Sequence, residues 1–304
     1  MFTRNLQVMV SAGIALPRSL KTLSGQTKNE KFKDALNKIS DKVVKGNSFS
    51  ESLKDHSDIF PEFFYSMVKV GEESGTLEDV LKNLINQMEK EYALKAKIIG
   101  ALIYPSVIIS AMVGIGILMM VMVVPTLAKT FEELGVELPF TTRIIIGTAE
   151  FITERWYVFI GLLGGFGFLF YSLMKTNKGR KYFDRISLKL PVVSDLIKKT
   201  NTAGIIRTLS ALIASGIPIV RALEIISATV SNSAFKNTLI EAIEKVRKGE
   251  KLSDSLSSYT DLYPQTVIQM MEVGEETGQT AEILEKLATF YEDEVSRSTQ
   301  NLTA

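Results

Sequence analysis

The phrase VGEESG at Val70–Gly75 returns as VGEETG at Val273–Gly278. Subtracting 71 from 274 gives an offset of 203, and that single offset aligns the surroundings as well. Arg4 falls on Arg207, Gly13 on Gly216, Arg18 on Arg221, Phe32 on Phe235, Gly46 on Gly249 and Pro61 on Pro264. About a third of the positions from Arg4 to Lys90 are identical to their repeats, with no gap. Such a chain must build one unit twice, so an architecture without two similar halves is excluded.

Each copy reads as helices. Phe32, Leu36, Ile39 and Val43 lie at steps of four, three and four, one apolar helix face, and Phe235, Leu239, Ala242 and Val246 repeat it. Gly46 and Gly249 follow at once and suit helix C-termini with positive φ. Strand-like alternation is not sustained anywhere, so the fold class is all-α, with about six helices in each copy. The repeated phrase then marks a helix-helix corner. Gly71 and Gly75, like Gly274 and Gly278, are expected to permit a tight reversal. Glu72, Glu73, Glu275 and Glu276 are expected beside the start of the following helix, where the dipole favours carboxylates. The four acids, with Arg4 and Arg207 at the first helix of each copy, are also the candidates for a partner interface. The competing expectation for the arginines is an ion pair inside their own bundle.

Between the copies the composition changes. From Ile98 to Ala128, between Lys97 and Lys129, there is no Asp, Glu, Lys, Arg or His, and the same holds from Trp156 to Met174. Roughly 20 apolar residues cross a bilayer core, so both runs are expected to span a membrane as a helical hairpin. Pro105 and Pro125 mark possible kinks in the first run. In the second, Gly161 and Gly165 are spaced for close helix packing. The connecting stretch Lys129–Arg155 carries Glu132, Glu133, Glu137, Glu150 and Glu154 against three cations, whereas Lys175, Lys178, Arg180, Lys181, Arg185 and Lys189 follow the second run. The bias of positive charge puts the short connection outside and both long polar portions in the cytoplasm. The expected plan is a first cytoplasmic domain at 1–96, spans at 97–128 and 156–174 around an extracytoplasmic loop at 129–155, a basic linker at 175–199, and a second domain at 200–304.

The chemistry available is sparse. The chain has no cysteine and a single histidine, His56. Disulfides, thiolate metal sites and a His-based triad thus lack parts. No phosphate loop, zinc-protease or EF-hand motif occurs. Lys plus Arg (35) nearly cancel Asp plus Glu (34), which gives no field to recruit nucleic acid. The sequence therefore implies no catalytic residue, cofactor or metal. A transporter or channel component is the alternative from another class, but the spans hold no charged group of the kind transport pathways use.

Two copies carrying FTRNLQVMVSAGIALPRSL with VGEESGTLEDVL, and IIRTLSALIASGIPIVRAL with VGEETGQTAEIL, flank ALIYPSVI and a two-span hairpin. This arrangement resembles the type II secretion F family (GspF/PilC) along essentially the whole chain. The resemblance implies a non-enzymatic, multi-pass platform of the bacterial inner membrane, in type IV pilus, type II secretion or competence pseudopilus machines. It also implies a homo-oligomer that contacts a cytoplasmic hexameric ATPase, pilins or pseudopilins, and other inner-membrane assembly proteins. Family members usually carry a cytoplasmic segment ahead of the first domain and a third span after the second. Here the first domain starts at Met1 and the last helix is followed closely by Ala304.

Overall fold

The computed structural model describes residues 1–133, 140–154, 156–191 and 193–301. The chain divides into two compact units, one of Met1–Lys97 with Asp184–Ser298, the other of Ile98–Phe183 with Thr299–Ala304. Both copies of the repeat thus belong to the same unit. The fold is all-α, and there is no strand among the described residues.

The first copy comprises α1 (Phe2–Ser11), α2 (Leu16–Gln26), α3 (Glu30–Val44), α4 (Phe49–Lys54), α5 (Glu62–Ser74) and the start of α6 (Leu77–Leu118). The middle of the chain supplies α7 (Val124–Glu133), α8 (Phe140–Glu154), α9 (Trp156–Lys175) and α10 (Asn177–Ser187). The second copy comprises α11 (Val193–Ala214), α12 (Ile219–Thr229), α13 (Ser233–Arg247), α14 (Leu252–Leu256), α15 (Gln265–Thr277) and α16 (Thr280–Asn301). Both ends of α2, α3 and α5 recur 203 residues later in α12, α13 and α15, so the repeat in sequence is a repeat in structure.

Local rules set these boundaries. Asn29 accepts a hydrogen bond from the Phe32 N–H at the start of α3, and Asn232 accepts one from the Ala234 N–H at the start of α13. Gly46 and Gly249 close those helices, each with φ of 90°. The core has the same period. Leu6, Leu20, Leu36, Leu53 and Leu81 are buried, as are Leu209, Leu223, Leu239, Leu256 and Leu284 at their repeats. Full burial of such a side chain contributes about 1.5–3 kcal/mol, and this ladder holds each bundle together.

The other unit has the reverse surface. The helical stretch Leu77–Phe131 is long and apolar enough to cross a membrane, and its most apolar window is not buried in the molecule. Ile99, Ile103, Val107, Met112 and Ile115 lie exposed along it. Its hydroxyls are satisfied locally: Ser106 and Ser110 donate to the Leu102 and Ser106 carbonyls, both at 2.7 Å. The helix continues through Pro105. Ahead of Pro125 it widens into a π turn over Met119–Val123, where the Val124 N–H reaches back to the Met119 carbonyl. A wide turn of this kind accommodates a residue without an N–H donor. The connection expected as a loop is helical in α8, while 134–139 and Arg155 lie outside the described residues.

Candidate functional site

The repeated phrase divides its work differently from the expectation. Only the last glycine of each makes the reversal: Gly75 and Gly278 have φ of 74° and 70° and terminate α5 and α15 in the left-handed conformation. Gly71 and Gly274 lie inside those helices, buried. A Cβ on Gly71 would meet the Leu77 Cα and Val80 Cβ at 3.0 Å, and one on Gly274 would meet the Thr280 Cα at 3.1 Å. The first glycine therefore lets the next helix press onto its neighbour, which is a matter of space and not of backbone angle.

The first acid of each phrase is also reassigned. The Glu72 carboxylate serves a different helix from the one that follows it. Its carboxylate accepts the Phe49 N–H at 2.6 Å, the Ser50 N–H at 3.0 Å and the Ser50 hydroxyl at 2.8 Å, all at the start of α4. Glu275 accepts the Leu252 N–H at 2.6 Å, the Ser253 N–H at 3.1 Å and the Ser253 hydroxyl at 2.6 Å at the start of α14. A carboxylate at a helix N-terminus meets unpaired donors and the positive end of the dipole. The helix it serves lies 22 to 23 residues upstream, which is why helix-start rules read along the chain miss it.

The second acid faces outward. Glu73 is exposed, and an ion pair at 3.7 Å links it to Lys69 one turn earlier. Glu276 pairs with Lys251 at 2.9 Å, and that bond holds the Lys251 ammonium above the usual lysine range against the opposing pull of desolvation. The structure thus brings the acids of each corner together but points them at different targets.

Arg4 and Arg207 both join the first helix of their copy to the last. Arg4 bonds Glu89 at the surface, with both side chains more than half exposed. Arg207, only 7% exposed, engages Glu292 through Nε at 2.7 Å and Nη2 at 2.8 Å, and donates to the Thr289 hydroxyl at 2.9 Å. In the other unit, a Cβ on Gly161 or Gly165 would meet nothing within 4 Å, so among the described residues their small size serves no close packing.

Sequence reasoning missed the contact between the copies. Arg221 Nη2 of α12 donates to Glu62 Oε1 of α5 at 2.8 Å, while its Nη1 donates to Glu224 at 2.9 Å. Glu224 also bonds Arg247, and the hydrogen bonds from Arg221 and then Arg247 hold its carboxyl below the usual glutamate range. Gln87 donates to the Thr208 hydroxyl at 3.3 Å, and Lys90 pairs with Glu285 at 3.7 Å. A groove of about 430 Å³ runs beside this contact, between Ser66, Lys69 and Val70 on one side and Ile217, Pro218 and Arg221 on the other. The sequence signal lay in mismatches between the copies: Glu62 has Gln265 as its repeat, and Lys69 has Glu272. No group of three or more His, Asp or Glu able to hold a metal ion occurs among the described residues.

The fold is thus a duplicated all-α bundle joined to a helical stretch, Leu77–Phe131, that is long and apolar enough to cross a membrane. The family model for "Type II secretion system (T2SS), protein F" matches residues 2–125 and 205–304, and the chain belongs to that family. It is 35% identical over 304 residues to the type IV pilus assembly protein PilC of Pseudomonas aeruginosa, covering all of this chain and 81% of that protein. The PilC of Thermus thermophilus is 35% identical over 303 residues, covering 100% of this chain and 74% of its own length. The type II secretion system protein F of Aeromonas hydrophila is 32% identical over 290 residues, covering 95% and 74%.

Proposed function

We propose that the chain is a non-enzymatic platform of the bacterial inner membrane in a type IV pilus or type II secretion machine. In this reading it couples a cytoplasmic hexameric ATPase to the insertion or removal of pilin or pseudopilin subunits. The observation that carries the proposal is the match along 95% or more of this chain, at about one residue in three, to relatives named for both pilus assembly and secretion. The exposed apolar surface of Leu77–Phe131 supports a place in lipid, because a patch of that size in water promotes aggregation. We infer further that α9 forms the second span and that both bundles face the cytoplasm, a reading supported by the charge bias around the two apolar runs.

Within the duplicated corner, Glu73 and Glu276 are the residues available to the motor, since Glu72 and Glu275 are committed to α4 and α14. Arg4, exposed beside Glu89, is a further candidate, whereas Arg207 is buried and acts through α16. The test is a binding titration of the detergent-solubilised chain against a purified hexameric pilus or secretion ATPase from the same organism. Charge reversal at Glu73 together with Glu276 is expected to weaken binding while helicity is unchanged. Unchanged affinity in the folded variant would remove the corners from the motor contact.

A further inference from the structure

Inside the chain, the two copies meet through unlike faces. Helix α5 of the first packs against α12 of the second, with Glu62 and Arg221 bonded across the contact. Their repeats, α15 and α2, do not pack on each other to any comparable extent among the described residues. A contact between two like bodies that uses a different face of each is heterologous. It leaves one complementary face unused at either end.

Burial marks both unused faces. Ile217, which lines the groove at the internal contact, is 4% exposed, whereas its repeat Ile14 is 38% exposed. Gln87, which reaches Thr208 across that contact, is 6% exposed, whereas its repeat Phe290 is 51% exposed. Val273 likewise lies open on α15, where its repeat Val70 is partly buried. The free faces also match in charge. Helix α2 presents Arg18 and Lys21, and α15 presents Glu272. Where α5 offers a lysine to the internal contact, Lys69, its repeat on α15 is the acid Glu272. The Arg18 side chain has no partner among the described residues.

We propose that α15 of one chain docks on α2 of a second copy of the same chain, repeating between molecules the α5–α12 contact made within one. The occupant of the open face is thus another copy of this protein, joined head to tail. Assembly on this plan closes into a ring or runs on as a filament, according to the rotation each contact imposes. The proposal specifies a surface for self-association and stands apart from motor docking, because the contact forms with or without the ATPase.

The absence of native cysteine makes the test direct. Two differently tagged chains, one carrying Arg18→Cys and the other Gln265→Cys, are co-expressed, and their membranes are treated with a short bis-maleimide. The expected product is an adduct holding both tags, with no dimer when either variant is expressed alone. Adding Glu272→Arg is expected to cut that adduct roughly tenfold, since like charges across a contact are strongly disfavoured, and combining it with Lys21→Glu in the other chain to restore it. A chain carrying Glu62→Cys and Arg221→Cys, which should link internally, is the control for reagent and fold. Dimers from Arg18→Cys alone or Gln265→Cys alone would show a like-face contact and overturn the proposal. So would a missing mixed adduct when the internal control links.

Discussion

The two copies keep the same letters at the Arg4–Glu89 and Arg207–Glu292 pairs, yet one pair is at the surface and the other is buried. The helix carrying Arg207 is more than twice the length of the one carrying Arg4, 22 residues against 10, and the burial beside it includes Thr202, Ala203 and Ile205. The same ion pair therefore holds different weight. An exposed pair is screened and loses side-chain entropy, whereas a buried charge left without its partner is costly. Residues identical in both copies specify the helical frame, and the environment each copy supplies decides what a residue contributes.

The largest effect expected from this contrast is at Arg207. Arg207→Ala should lower the local opening free energy of α11 and α16 by about 3 kcal/mol, the low end of the range for breaking a buried pair, because the Glu292 carboxylate left behind is 19% exposed. Arg4→Ala should lower that of α1 and α6 by at most about 1 kcal/mol. Native-state hydrogen exchange on the full chain in detergent reads both, and equal losses would break the distinction.

Gly71→Ala and Gly274→Ala come next. Each inserts a methyl at 3.0–3.1 Å from backbone of the following helix, so a loss of about 1–3 kcal/mol is expected in each copy. Alanine is otherwise the better helix former, and a gain in stability would show that the helices separate at no cost. Smaller again is the pair Glu72→Gln and Glu275→Gln. Removing the charge from these caps is expected to cost about 1 kcal/mol, alike in both copies, read as faster exchange at the Ser50 and Ser253 amides.

The smallest effect concerns the charge cluster behind the contact between copies, in which Glu224 bonds Arg221 and Arg247 of its own copy. Glu224 titrates lower in the folded chain than its ordinary value of 4.5, because Arg221 and Arg247 hold it ionised. Its stabilisation is therefore complete above that value and is lost as pH falls through the depressed folded value. Exchange protection of α12 should fall in that acid window, and Glu224→Gln should abolish this part of the pH dependence. Protection that declines identically in the variant would assign the acid sensitivity elsewhere.

Much of the frame was legible in the amino-acid order. The 203-residue offset, the Phe32–Val43 stripe and the terminal glycines Gly46 and Gly249 are local or periodic signals, and helices obey those. The apolar run ahead of Lys129 was legible for the same reason. What escaped were facts that depend on where the chain returns in space. The helix that Glu72 serves begins 23 residues upstream. Gly71 looks like a turn residue until α6 is seen against it, and the Glu62–Arg221 bond joins positions 159 apart. Spacing along a helix names the face of a residue but does not name its neighbour.

Gly71, Glu72 and Gly75 have a mechanical consequence when taken as a set. The first clamps α5 against α6, the second ties α5 to α4, and the third fixes the angle at which α6 departs. The ends of three helices are thereby locked at one point by contacts along separate directions. Such a corner is expected to act as a bracket and not as a hinge, since the Glu72 hydrogen bonds and the Gly71 contact must be given up before α4 or α6 can swing about α5. The same bracket is built a second time around Gly274, Glu275 and Gly278.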